Sequence, residues 1–217
     1  MKDFFNIIYQ ILPGIKISLL VFFATIVFSI PLGVVVYFAR ASKIKIVALI
    51  TRLYISVMRG TPLMLQLMIV YFGPYYIFGI KITSSYRIIA TLLGFTINYA
   101  AYFAEIYRGG IEAIPRGQYE AAQILGYTKV QTFIRIIVPQ VVKIILPSIT
   151  NEIVTIVKDT SLAYVLAVTE MFAIARQIAT NMASMFPYLV AGICYYFFSF
   201  IVEILMGRLE KKLNYFR

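Results

Sequence analysis

The chain has no histidine and no tryptophan, and Cys194 is its only cysteine. Without imidazole, His-based acid–base catalysis and ordinary zinc sites are excluded, and a lone thiol cannot close an intrachain disulfide. Acidic side chains are scarce as well, nine against 20 Lys and Arg, which leaves a formal net charge of +11. Charged residues of both signs make up 13% of the chain, where a soluble domain carries roughly 25%. An excess of basic residues in a soluble protein points to nucleic acid. In a membrane protein it sets topology and meets anionic headgroups. The apolar content selects the second reading: 61% of the 217 residues are hydrophobic, and the mean hydropathy is +0.87. A globule of this size in water could not bury that much apolar surface.

A spanning helix needs about 20 predominantly apolar residues. Between Lys16 and Arg40 lie 23 uncharged positions, between Arg59 and Lys81 21, between Arg87 and Glu105 17, and between Arg176 and Glu203 26. The stretch from Lys143 to Glu170 is apolar but interrupted by Glu152, Lys158 and Asp159. These gaps predict an all-α integral membrane helical bundle, one domain over 1–217, with five spans at about 15–39, 60–80, 87–108, 144–169 and 188–207. Met1 to Pro13 lacks the basic start, clean apolar core and small-residue site of a cleavable signal; its amphipathic pattern suits the outer interface. Arg40, Lys43, Lys45, Arg52 and Arg59 follow the first span, Arg108, Arg116, Lys129, Arg135 and Lys143 the third, and Arg208, Lys211, Lys212 and Arg217 close the chain. That places 14 cations on one side and six on the other. The predicted N-terminus is outside and the C-terminus cytoplasmic.

Residues 105–143 are too polar to span, yet they carry helical punctuation. Pro115 suits a first turn. Tyr119, Glu120, Ala121, Ala122, Ile124 and Leu125 then form a short helix ending at Gly126, which can take the left-handed C-terminal conformation. A second helix starts near Thr128, with Val130, Phe133, Ile134, Ile137 and Val138 at i, i+3, i+4, i+7, i+8 spacing. Pro139 marks its end or a bend. The cytoplasmic unit is 115–139, and on physics alone it could be no more than a connecting loop.

Here the pattern becomes specific. Glu120-Ala121-Ala122, Gly126, Ile136 and Val138-Pro139 resemble the EAA loop of ATP-binding-cassette (ABC) importer permeases, with Val138 where that family usually has Leu. Arg59-Gly60-Thr61-Pro62-Leu63 with Gln66-Leu67, and Ala104-Glu105-Ile106-Tyr107-Arg108-Gly109-Gly110, resemble the polar-amino-acid subgroup (histidine, glutamine and arginine type). Lys158-Asp159-Thr160-Ser161-Leu162 is similar to that subgroup's break in the fourth span. The resemblance implies the type I importer permease (MetI-like) fold in a bacterial or archaeal cell (inner) membrane. It also implies two copies of a nucleotide-binding ATPase subunit, a second and identical permease copy, and an extracytoplasmic amino-acid-binding protein. Tyr119, Glu120, Ala121, Ala122, Leu125, Gly126 and Tyr127 would fill a groove of the ATPase, an instance of helix-in-groove recognition. The chain lacks a G-x-x-x-x-G-K-[ST] loop, so it is expected to be no enzyme and to bind no cofactor; ATP and Mg belong to the partner ATPase. Metal and nucleic acid are not expected; lipid is.

Ionisable groups within a bilayer usually face a cavity or a partner. Glu152 lies nine residues past Lys143, about 13 Å along a helix, where its carboxylate could neutralise the cation of an amino acid. A structural ion pair with Arg108 or Lys158, or a protonated carboxyl, are the alternatives. Asn98 and Tyr102 share a face at i, i+4, and Asn151 and Gln66 join them as candidate substrate contacts; polar groups in a bundle also serve as interhelical glue. Lys158 and Asp159 read as solvated at the outer mouth, although freed backbone at such a break could hold a zwitterion. Glu105 and Arg108 should pair at the cytoplasmic end of the third span, and Cys194 is a small apolar packing residue. The expected function is the translocation subunit of an ATP-driven importer for cationic or glutamine-like amino acids. Alternatives are a permease for methionine or another small polar solute, and a proton-coupled secondary transporter using Glu152. The latter should show two related repeats, and none is evident. An intramembrane hydrolase would need a nucleophile–base pair or metal ligands at depth, and without histidine the options are poor.

Overall fold

The computed structural model describes residues 2–213, and helices make up nearly all of it. In chain order they are α1 (Lys2–Arg40), α2 (Lys45–Gly60), α3 (Leu63–Phe78), α4 (Tyr86–Glu112), α5 (Arg116–Ile124), α6 (Lys129–Thr132), α7 (Val138–Asp159), α8 (Met171–Met182) and α9 (Phe186–Leu213). A π-helical turn, Phe133–Ile137, joins α6 to α7, and a 3₁₀ segment, Thr160–Leu166, extends α7. Four stretches are long and apolar enough to cross a membrane: Phe4–Arg40, Tyr86–Glu112, Lys129–Leu166 and Phe186–Leu213. Among the described residues the pair α2 and α3, bent by 115° at the break between them, meets the same test only when counted together, which would make a fifth.

The core is built around α4. Phe95, Tyr99 and Phe103 recur at i, i+4, i+8 on it and are all but inaccessible, so one aromatic stripe packs against α1, α3 and α7. Small residues Ala100, Ala101 and Ala104 let α1 and α2 approach the other side of α4 closely.

Several expected boundaries move. The helix that carries the first apolar stretch starts well before residue 15, and the leading segment is continuous with it rather than a separate helix. α1 is one 39-residue helix, about 58 Å long at 1.5 Å per residue, and Ile7 and Ile11 are buried against Met171, Ala175 and Ile178 of α8. The backbones meet at Gly14, where an added Cβ would stand 2.7 Å from the Met171 amide nitrogen. The stretch 60–80 holds one helix, α3, and the bend falls at its start, where a separate helix, α2, leads into it. Pro62 cannot donate a backbone N–H and forces Thr61 into extended geometry (φ −125°, ψ 149°), which separates α2 from α3.

Pro139 neither ends nor sharply bends its helix, so the helix of the fourth apolar stretch is continuous with the second helix of the 115–139 unit. The wider π turn just before it leaves room for the pyrrolidine ring, and Gln140 Nε2 donates to the Ile136 carbonyl at 2.8 Å. At the other end the fourth span changes character where its polar run begins. Helix α7 gives way to the 3₁₀ turn at Thr160, then to a left-handed residue, Ala167 (φ 53°). Helix α8 follows, absent from the sequence reading, with the fully buried Glu170 as its N-cap, accepting from the amides of Phe172 and Ala173 at 2.7 Å each.

Candidate functional site

Glu152 and Asp159 are seven residues apart on α7, on one helical face and about 10 Å apart along the axis. Asp159 is not a freely solvated group at a mouth: its Oδ2 accepts from the Tyr99 hydroxyl at 2.7 Å. Tyr99 and Tyr102 lie one turn apart on α4 with ring centroids 5.9 Å apart. The Arg59 guanidinium, from the last turn of α2, stands 5.6 Å over the Tyr102 ring. Glu152 is half-buried and within Coulombic reach of Asp159, Arg59, Tyr99 and Tyr102. The structure therefore gathers two carboxylates, two phenols and one guanidinium from α2, α4 and α7. Sequence reasoning missed Asp159 and Arg59 as members; the i, i+7 spacing of Glu152 and Asp159 was the available signal.

The other expected contacts divide differently. Asn98 is buried, and its Nδ2 donates to Gln66 Oε1 at 2.8 Å and to the Met58 carbonyl at 3.2 Å. Gln66 Nε2 donates to the Met58 carbonyl (2.9 Å), the Thr61 carbonyl (3.1 Å) and Thr61 Oγ1 (2.9 Å). These two amides satisfy carbonyls that the elbow at Pro62 leaves without helical partners. Their contacts hold the elbow against α4. Gln66→Leu should accordingly lower the thermal midpoint of the purified transporter, by a loss of about 1–2 kcal/mol, and leave cargo affinity unchanged within experimental error; a shift in affinity with normal stability would restore Gln66 to the ligand set. Asn151 is exposed, about 100° around α7 from Glu152.

Toward the end of α4 the expected Glu105–Arg108 pair is present and belongs to a larger lattice. Glu105 pairs with Arg108, with Arg40 of α1, and at 3.8 Å with Arg59; Arg108 also pairs with Glu112. A cavity of about 510 Å³, lined by Arg40, Arg52, Ser56, Arg59, Tyr102 and Glu105, runs from Tyr102 past this lattice. Arg59 and Tyr102 border both the carboxylate cluster and this arginine-lined vestibule.

The helix–turn–helix at 115–139 is built as its punctuation requires. Pro115 is the N-cap of α5, one position earlier than expected. Gly126 holds φ +78°, and the amides of Leu125, Gly126 and Tyr127 return to the carbonyls of Ala121, Gln123 and Ala122 at 3.0–3.1 Å. Thr128 and Gln131 form a reciprocal capping box that starts α6. Tyr119, Glu120, Ala121, Leu125, Gly126 and Tyr127 are exposed. Ala122 is buried within the chain at 1% exposure and cannot reach a partner surface, whereas Ile124, outside the expected set, is 86% exposed and Leu125 74%. Two aliphatic side chains are thus bare at the C-terminal end of this stub.

Residues 29–215 match the family model described as "Binding-protein-dependent transport system inner membrane component". The chain belongs to this family. It is a multi-pass membrane permease subunit of an ABC importer, and the ATPase activity sits on a separate polypeptide. Systems of this family work with an ATPase and a solute-binding protein. Among relatives, the arginine transport system permease protein of Bacillus subtilis is 35% identical over 205 residues, 94% of this chain and 92% of that one. A Rickettsia bellii protein assigned to a glutamine transport system as its permease is 33% identical over 204 residues, covering 94% and 92%. A solved amino acid ABC transporter with histidines superposes with a TM-score of 0.87 at 29% identity, covering 97% of each chain. The methionine transporter MetNI in an inward-facing form shares the fold, with a TM-score of 0.71 at 16% identity over 96% of each chain.

Proposed function

We propose that this chain, paired with a second identical copy in the cell (inner) membrane of a bacterium or archaeon, forms the pathway by which a cationic amino acid, or a glutamine-like one, enters the cell. The observation that carries the reading is the face shared by Glu152 and Asp159, closed by Tyr99 and Tyr102. Two carboxylates beside aromatic rings suit an α-ammonium and a second, side-chain cation. Every amino acid brings its own α-carboxylate, and an acidic cargo would add a further one with no cation to meet it. The arginine-transporting relative and the solved transporter with histidines support the same class.

The N-terminus lies outside and the C-terminus inside in this reading, supported by the 14-to-6 distribution of basic residues. The bare Ile124 and Leu125 then face the cytoplasm, where each copy engages one of two ATPase subunits that carry the ATP and Mg. Closing of those subunits would move α5 and α6 as a unit and switch the access of the cleft from one side to the other. Five spans make a thin wall, so a two-fold pair is needed to enclose a solute. A solute-binding protein delivers cargo from outside.

The test is uptake by vesicles containing this chain, its ATPase and its binding protein. Radiolabelled arginine, lysine or histidine should accumulate with ATP inside and stop when ATP is withdrawn. Uptake that follows an imposed proton gradient and ignores ATP would transfer the chain to the secondary transporters.

A further inference from the structure

Two cavities meet at Tyr37, near the C-terminal end of α1. One, of about 330 Å³, is lined by Tyr37, Arg40, Ala41, Arg52, Arg108 and Glu112. The other, of about 230 Å³, presents no polar surface; Val34, Phe38, Phe133, Val142 and Ile145 wall it together with Tyr37. The first half is cationic. Arg40 and Arg108 share Glu105, Arg108 also takes Glu112, and Arg52 makes no ion pair among the described residues. Around this mouth three guanidiniums (Arg40, Arg52, Arg108) face two carboxylates (Glu105, Glu112), so one positive charge is left over. The second half opens at Val34, Phe38 and Val142, all exposed, on the bundle's apolar exterior.

We infer that Tyr37 joins the two halves of a site for an anionic phospholipid of the cytoplasmic leaflet. Its phosphate would sit on Arg52, Arg40 and Arg108, and an acyl chain would fill the slot between α1 and α7. Basic pockets between membrane helices on the cytoplasmic side recognise such headgroups, and a planar guanidinium suits phosphate oxygens. The charge complementarity argues for a lipid over a second permease copy, which could cover the slot but would leave the spare arginine unmatched. A free anion would leave the slot empty. A lipid held there bridges α1, α2, α4 and α7 immediately before α5, the element that engages the ATPase. The inference rests on the cytoplasmic placement of α5 proposed above and is independent of the cargo.

The experiment is native mass spectrometry of the delipidated transporter, permease with its ATPase, after exposure to phosphatidylglycerol or phosphatidylcholine. Phosphatidylglycerol should be retained and phosphatidylcholine lost. Arg52→Gln should weaken retention about fivefold, the worth of one cation at a membrane surface, while Arg52→Lys preserves most of it. Val142→Trp, which fills the slot, should weaken retention at least as much. Equal retention of both lipids, or unchanged retention in both Arg52→Gln and Val142→Trp, overturns the site. So does displacement of the lipid by inorganic phosphate alone, and so does loss of permease pairing in Val142→Trp with the lipid still bound. Cargo uptake is not read in this assay, so an error in the cargo class would leave its result intact.

Discussion

Gly126→Val should leave the permease folded and inserted but cut cargo-stimulated ATP hydrolysis by about tenfold or more. Gly126 holds φ +78°, and an added Cβ there would meet nothing within 4 Å. The whole effect must therefore come from the backbone. A left-handed conformation costs an ordinary L-residue about 1–2 kcal/mol, and more when the side chain is β-branched. The chain can relieve that strain only by rotating the peptides that send the amides of Gly126 and Tyr127 back to Gln123 and Ala122. Such a rotation swings Ile124 and Leu125 away from the direction in which the stub presents them. About 2 kcal/mol against the docking geometry corresponds to a roughly thirtyfold loss of the competent population. Gly126→Asn, which tolerates positive φ, should retain most of the coupling. Stimulated hydrolysis at the normal rate in the valine variant, with the ATPase still bound, would show that the turn transmits nothing.

Gly126 was legible because glycine at the end of a short helix has one common structural use; Thr128 was read as the start of the next helix, while its reciprocal partner Gln131 emerged only in the structure. The charge-free gaps located most of the long apolar helices for an equally direct reason: charge is excluded from hydrocarbon. Other features lay beyond local reading. Helix α8 begins after Ala167 at φ 53° and ends at Ala183 at φ 45°. Alanine in the left-handed region gives no warning, so neither boundary was marked by a residue that announces it. The N-terminal turns of α1 looked interfacial because Asn6 and Gln10 alternate with apolar residues. Their burial depends on Met171, Ala175 and Ile178, some 160 positions downstream.

The site shows the same division. Asn98 and Gln66 are the right chemical types for a ligand contact, but the sharp turn at Pro62 creates unpaired carbonyls that claim them first. Arg59 was visible only as part of a motif. Its place beside Tyr102 and Glu105 follows from α2 folding back by 115°, which the apolar gap from 60 to 80 does not disclose.

Glu152→Gln should raise the transport constant for arginine or lysine more than tenfold while changing that for glutamine by less than about threefold. The amide keeps the size and one acceptor of the carboxylate but removes its charge. A hydrogen bond to a charged group is worth about 1.5–3 kcal/mol, and an amide that turns its donor face to the cargo cation forfeits all of it, roughly 10- to 150-fold in affinity. Asp159, already accepting from Tyr99, remains to hold the α-ammonium common to every amino acid, so a cargo without a side-chain cation has little to lose. The variant also relieves Arg59 of one of its two nearby carboxylates and leaves it to Glu105 at 3.8 Å, which should hold the vestibule side intact. Measuring uptake constants for arginine, lysine, histidine and glutamine in the same vesicles separates the cases. A uniform loss for all four would make Glu152 a structural group, and four unchanged constants would remove it from the pathway.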